Sequence, residues 1–267
     1  MKHDVMRILI KHIEELYIIL GKYKISNRNN FVSVAESDLI FQKAILMTVG
    51  YIGELSKKAD ENIKLSNPDV NWRRLGKSRN IIFHDYDIVD MEIISSVVFK
   101  DISALKLIKE IDSNDIEMAL DLVRDVFLTF VAPDYSTQGK DTFINDLEKL
   151  STETLSGLKS RKMWACYQAG KIVGVIATRD RTHISLLFTD KKYHKKGIAK
   201  YLFNHLLNEF KNETSAKQIT VNSSPYAVEI YRRLGFEKTG EQQEKNGIIS
   251  TPMVYILNSK KILTEDK

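Results

Sequence analysis

Near residue 104 the spacing of apolar residues changes period, so one uniform architecture cannot bury both halves of the chain. Before that point apolar side chains recur every three to four positions, as on helices that bury one face. After it, short alternating runs appear, as on half-buried strands. Val5, Leu9, Ile13, Leu16 and Leu20 form the first helical stripe, and Gly21 is placed to end it. A second long helix is predicted over 31–58, with Leu39, Ala44, Ile45, Val49, Ile52 and Leu55 on one face. A turn cluster, Ser66 to Asp69, precedes a third helix over 71–83. A fourth starts near 87 and carries Met91, Ile94, Val98 and Ile102. Four helices with short connections predict an antiparallel bundle.

Beyond residue 104, Leu105 to Glu110 alternates like a strand, and Ser113-Asn114-Asp115 caps a helix over 116–130. Strands are predicted over 163–167, 171–178, 183–189, 218–222 and 253–257, with helices over 197–210 and 226–234. Gln168-Ala169-Gly170 reads as a hairpin turn. The expected organisation is a helical domain, 1–104, followed by a mixed α/β domain, 105–267. The 267 residues suit two domains on a prior of roughly 100–200 residues each. No Gly/Ser/Pro-rich linker separates them, so close coupling is expected.

The single cysteine, Cys166, excludes an internal disulfide framework and suits a reducing compartment. It lies in an apolar run, where a buried inert thiol is expected. The longest uncharged run, Asn246 to Ser259, has 14 residues and contains Pro252. That is short of the ~20 apolar residues of a membrane span. Charges at Lys11, Glu14 and Glu15 interrupt any signal-peptide core. A soluble cytoplasmic protein with no membrane partner is expected. The six histidines show no metal-ligand spacing, and no metal is expected.

The net charge of +5 is spread over both halves, and the useful basicity is local. Arg73, Arg74, Lys77 and Arg79 lie in a segment without an acid. So do Lys191, Lys192, Lys195, Lys196 and Lys200. Either run could be a solvated face, and either could meet phosphate.

In the first run, Arg79 is followed by His84 and Tyr86. Metal-free RNA cleavage needs a base for the 2′-hydroxyl, an acid for the leaving oxygen and a cation for the pentacovalent phosphate. His and Arg supply such groups. On an ideal helix the two positions lie about 140° apart, so they converge only at a helix end, a bend or across a dimer. On spacing alone they could equally be a surface arginine and a helix-capping histidine. Trp72 could stack on a base or pack on a neighbouring helix.

Arg79, four residues, His84, one residue, Tyr86, with Trp72 upstream and Asn80 after the arginine, resembles the HEPN family in its HepT-like toxin branch. The likeness covers residues 1 to about 104 and includes Ile52-Gly53-Glu54-Leu55. It implies a homodimeric, metal-independent endoribonuclease, the toxin of a toxin–antitoxin pair, acting on RNA. Arg79 and His84 would be catalytic and Asn80 would help position them. Tyr86 would receive AMP from a small nucleotidyltransferase antitoxin, placing negative charge where RNA phosphate should sit.

The second run lies between an apolar strand and an amphipathic helix. A glycine there leaves backbone N–H groups open to a pyrophosphate at the positive end of the helix dipole. An ordinary basic helix start remains the alternative. With Asn222 and the segment Tyr231-Arg-Arg-Leu-Gly-Phe236, this loop resembles the GNAT acetyltransferase family over about residues 105–258. His194 stands where that family usually has Gln or Arg, and Ala199 takes the last small position. The resemblance implies acetyl-CoA as co-substrate, held by His194, Lys195, Lys196, Gly197, Ile198, Ala199 and Lys200. Asn222 would contact the pantetheine arm. Backbone N–H groups around Phe188 and Thr189 would steady the oxyanion, and Tyr231 would protonate the departing thiolate. Tyr231 could also be simply a packed aromatic. The central strand has no Glu to act as general base, and the amine acceptor is not named by the sequence. A second reading makes the helical half a catalytically silent dimerisation or partner-binding module for the acetyltransferase.

Overall fold

Helix caps, more than apolar stripes, set where the N-terminal helices begin and end. In the computed structural model, which describes residues 2–84, 89–155, 161–180, 182–213 and 217–257, the stripe over 31–58 is two helices. They are α2 (Arg28–Ser37) and α3 (Leu39–Ser56). Asp38 between them is extended, with φ −123°, and its carboxylate accepts from the Phe41 N–H at 2.9 Å. That capping bond satisfies a donor left open at a helix start, which is why the break falls there. The same device at Asp60, which accepts from the Ile63 N–H, starts α4 (Glu61–Ser66), a helix the apolar pattern does not announce. Before these elements comes α1 (Lys2–Lys22), and after them α5 (Trp72–His84) and α6 (Met91–Ser96). A π-helical segment, Val97–Ile102, follows α6.

The chain divides into two units. One is residues 1–109 with 167–171, and the other is 110–166 with 172–267. In the first, α3 packs against both α1 and α5. Leu9, Leu16, Phe31, Phe41, Ile45, Ile52 and Leu75 are fully buried. Two glycines of α3 permit the close approach to α5. A Cβ on Gly53 would lie 2.6 Å from Ser78 Oγ and 2.8 Å from the Leu75 carbonyl oxygen, and one on Gly50 would lie 2.7 Å from the Phe83 ring.

The second unit is mixed α/β. Strand β1 (Lys106–Glu110) lies at the division, followed by α7 (Ile116–Phe130) and α8 (Thr137–Leu155). Then come β2 (Lys162–Gln168), β3 (Lys171–Arg179) and β4 (His183–Thr189). They are followed by α9 (Ile198–Glu213), β5 (Gln218–Ser223) and α10 (Val228–Arg233). The short β6 (Glu237–Lys238) and β7 (Gln243–Lys245) precede β8 (Ile248–Ile256). The sheet order from β2 onward is β2-β3-β4-β5-β8-β6, with β7 paired to β8. Helix α8 is not foreseen by the apolar pattern, and β8 begins well before the predicted Met253 and runs through Pro252. Gly174 lets α9 lie close on β3, because a Cβ there would lie 2.6 Å from Ile198 Cγ2. Val175, Ile176, Leu202, Leu206 and Ile219 are fully buried in this unit. Cys166 is likewise buried. Among the described residues no helix is long and apolar enough to cross a membrane.

The run Arg73–Arg79, acid-free in sequence, is not acid-free in space. The Arg74 guanidinium donates to both carboxylate oxygens of Asp101, at 2.6 and 2.8 Å, and the Asn71 N–H adds a third bond at 3.2 Å. Asp101 is 1% exposed, so its charge depends on these partners. Asp101→Ala is expected to lower the unfolding free energy by about 2 kcal/mol, measured by urea titration, because it removes charge-assisted hydrogen bonds while the partly exposed Arg74 guanidinium turns to water. Asp101→Asn should fall between the two.

Candidate functional sites

The C-terminal site is built by two strands that part. β4 and β5 pair in parallel only at His183–Thr220 and Ile184–Val221. Beyond them β4 keeps its antiparallel partner β3, through Leu187–Ile176, Phe188–Val175 and Thr189–Gly174. The Asp190 N–H donates to the Val173 carbonyl at 3.0 Å, and hydrogen-bonded pairs alternate along such a ladder. The Phe188 N–H therefore faces β3, whereas those of Leu187 and Thr189 face the gap left by β5. Sequence reasoning named Phe188 and Thr189. Leu187 enters through pairing register alone.

The lysine loop follows β4. Asp190 accepts from the Lys192 N–H at 2.7 Å, shaping a 3-10 turn, Lys191–Tyr193. His194 Nε2 donates to the Thr189 carbonyl at 2.9 Å, which ties the ring to the end of β4. Lys195 and Gly197 take positive φ, 59° and 78°. A Cβ on Gly197 would meet nothing within 4 Å, so the space before α9 is open. Lys191, Lys192, Lys195, Lys196 and Lys200 are exposed, and Ala199 is half-buried. Ile198 is buried and anchors the helix start, so its backbone N–H is what it can offer a ligand. Tyr231 is buried on α10 in an aromatic cluster, its ring 5.3 Å from Phe236, which lies 5.2 Å from Phe203. Burial pushes its phenol well above the ordinary value of 10, so it stays protonated near neutrality.

On the α8 side of the sheet lies a cavity of about 510 Å³. α8 contributes Phe143, β4 Ser185 and Leu186, β5 Asn222, and the β7–β8 turn Asn246. Gly139, near the start of α8, abuts Gly247 in that turn, where any Cβ would overlap the Gly247 carbonyl. At the cavity wall Arg179 Nη2 lies 3.2 Å from His183 Nε2, and His183 Nδ1 lies 2.9 Å from Thr220 Oγ1. Arginine can only donate, so Nε2 accepts and Nδ1 carries the proton. Burial first, and Arg179 second, lower the His183 pKa from 6.5 to about 4, against an opposing pull from Asp180.

In the N-terminal unit, Arg79 Nε lies 3.5 Å from Glu54 Oε2, and its guanidinium carbon lies 5.4 Å from the Phe83 ring centre. The glycine-permitted approach of α3 and α5 brings Glu54 to it. Asn80 Oδ1 accepts from Lys57 Nζ at 3.4 Å. Trp72 is half-buried, and its indole N–H has no hydrogen-bond partner among the described residues. His84 is the last residue of α5, and its side chain and Tyr86 lie outside the described residues.

Residues 6–111 match the family described as ribonuclease HepT-like, and residues 131–257 match the GNAT acetyltransferase domain. The chain is 32% identical over 65 residues to a probable ribonuclease HepT of Thermococcus cleftensis. That alignment spans 24% of this chain and 59% of the relative. A putative RNase of Methanocaldococcus jannaschii is 24% identical over 111 residues, 42% of this chain and 96% of that protein. A GCN5-related N-acetyltransferase structure from Rhodopseudomonas palustris has a TM-score of 0.48 at 20% identity. It covers 56% of this chain and 94% of that one. The PaiA N-acetyltransferase of Thermoplasma acidophilum, in complex with coenzyme A, has a TM-score of 0.47 at 15% identity, covering 57% and 99%. Residues 6–111 are thus similar to HepT-like ribonucleases, and residues 131–257 to GNAT acetyltransferase domains.

The depressed His183 pKa makes stability depend on pH. The folded ring stays neutral down to about 4, whereas the unfolded ring takes a proton near 6.5. The unfolded chain binds more protons between those values, so this contribution is complete above 6.5 and is lost as pH falls towards 4. His183→Gln should show a smaller drop in urea midpoint between pH 7.5 and 5 than the parent does.

Proposed function

We propose that the C-terminal unit transfers the acetyl group of acetyl-CoA to an amine, and that the N-terminal unit is a metal-independent endoribonuclease of toxin–antitoxin type. The parting of β4 and β5 directly before the lysine loop carries the first half. The pyrophosphate would sit on the first-turn N–H groups of α9 and on Gly197, with His194, Lys195, Lys196, Ala199 and Lys200 around it. The pantetheine arm would run into the gap, against Asn222. A neutral amine attacks the thioester carbonyl, and the oxyanion is met by backbone N–H groups, that of Thr189 and its neighbour Leu187. The C–S bond breaks, the thiolate takes the Tyr231 proton, and the extra proton of the new N–C bond's nitrogen passes through water back to the Tyr231 phenolate. Tyr231 would act in its protonated form, which burial holds at neutral pH while also opposing loss of the proton, so the acid role rests on its place beside the gap and not on its pKa.

In the N-terminal unit, Arg79 would stabilise the phosphate charge and His84 would transfer protons, with Asn80 in support and a second copy of the chain completing the cleft. A nucleotidyltransferase partner would attach AMP to Tyr86 and silence the site. The match to HepT-like ribonucleases over residues 6–111 supports this reading. The contact of Arg79 with Glu54, which offsets charge meant for phosphate, favours a second reading, a silent binding module.

Gly197→Glu, which puts a side chain at φ 78° and an anion in the cradle, should weaken acetyl-CoA binding more than about tenfold by calorimetry. Tyr231→Phe should lower kcat about 100-fold with acetyl-CoA affinity kept, read by release of free thiol. Expression of the intact chain without a partner should arrest growth, and Arg79→Ala or His84→Ala should each relieve it. Equal toxicity of both variants and the parent would remove the nuclease reading.

A further inference from the structure

The cavity beside α8 is separate from the lysine loop. No residue of 191–200 lines it, and it meets the acyl-transfer gap only through Ser185, Leu186 and Asn222. If acetyl-CoA enters from the α9 side, as the acetyltransferase reading requires, the amine must come from the α8 side. The charge of that cavity then selects the amine. Its described lining holds four cations, Lys149, Arg161, Arg179 and Lys245, and one acid, Asp146. The Asp146 carboxylate lies 3.6 Å from Lys149 Nζ, on the same helix. Arg161 has a partner of its own, and the lining holds no further acid for Arg179 and Lys245.

Arg179 is also aimed. Its antiparallel partner in the β3–β4 ladder is His183, and the imidazole accepts one of its N–H groups. A carboxylate in that place would cancel the guanidinium charge. A neutral imidazole orients it without adding an opposing charge, and Asp180, the acid that acts on His183, is not among the lining residues. The ring is itself held by Thr220 across the two residue pairs where β4 and β5 still touch. Arginine oriented in this way, in a half-enclosed site, fits an oxyanion in a planar fork. The same field opposes a second ammonium group on the acceptor.

We propose that this cavity binds an acyl acceptor carrying an oxyanion at the end distant from its amine, and that Arg179, positioned by His183, determines that specificity. The acceptor's amine reaches the β4–β5 gap while its carboxylate or phosphate rests on Arg179, with Lys245 adding charge. Polyamines and other polycations are excluded by the same residues.

The test uses the full chain with three amines of similar size, 4-aminobutyrate, O-phosphoethanolamine and n-butylamine, together with spermidine. Binding to the CoA-saturated protein is measured by calorimetry, and acetylation by thiol release. At least one anionic amine should bind more than about tenfold more tightly than n-butylamine, a difference one charge-assisted bond can supply. The better of the two anionic probes distinguishes carboxylate from phosphate. Arg179→Gln should erase the preference, Arg179→Lys should keep part of it, and His183→Gln should lower it while raising KM more than it lowers kcat. Arg179 is exposed, so its variants are expected to fold. Absence of binding by both anionic amines, a preference for n-butylamine or spermidine, or an Arg179→Gln variant with unchanged preference would each overturn the proposal. Failure of acetyl-CoA itself to bind would instead sink the acetyltransferase reading beneath it.

Discussion

The C-terminal unit depends on a pairing that stops. β4 and β5 share two residue pairs, His183–Thr220 and Ile184–Val221, and then separate. A parallel pair that continued would satisfy the N–H groups of Leu187 and Thr189 and leave nothing to meet an oxyanion. Because it stops, those donors face a gap whose walls are fixed from both sides. β3 holds β4 through its ladder, and β8 holds β5 from Gln218 to Ser223. Rigid neighbours on the outer edges make an opening between strands stable without unravelling the sheet.

The same two pairs anchor the polar chain Thr220–His183–Arg179. It crosses the base of the gap and ends at the wall of the α8 cavity. One short stretch of parallel pairing thus sets where the sheet opens, which N–H groups face the opening and which way the cavity arginine is turned. The lysine loop is added at the other end of β4, where His194 bonds the last carbonyl of the strand. Gly197, free to take positive φ, turns the chain into α9 without a side chain across the opening.

In the N-terminal unit the governing contact is the close packing of α3 on α5, allowed by Gly50 and Gly53. It changes the meaning of the basic run on α5. Arg74 neutralises Asp101, and Arg79 lies beside Glu54, so about half of a cluster that looks uniformly positive in sequence has acidic partners in space. The lysine loop differs: its nearby acid, Asp190, is engaged with the Lys192 backbone N–H, and the lysine side chains stay exposed.

The apolar periods of the sequence were enough to announce helices before residue 104 and mixed α/β structure after it, since helix and strand bury side chains at different spacings. The lysine loop, Gly197, Asn222 and Tyr231 were legible as well, because their residue types are contiguous and locally constrained. The break at Asp38 was readable in principle as a cap but was masked by the continuous stripe around it. Helix α8 carries too mixed a face to stand out by period. Leu187 has no distinctive side chain, and its role follows only from which edge of β4 its N–H faces. His183 and Arg179 look unremarkable in a list of histidines and arginines. The sequence by itself determined which elements form and which residue types stand ready for phosphate, because those are local properties of the chain. Only the tertiary structure decided which charges are neutralised, which amides are open and where an arginine points, because each depends on partners distant in sequence, brought together by packing.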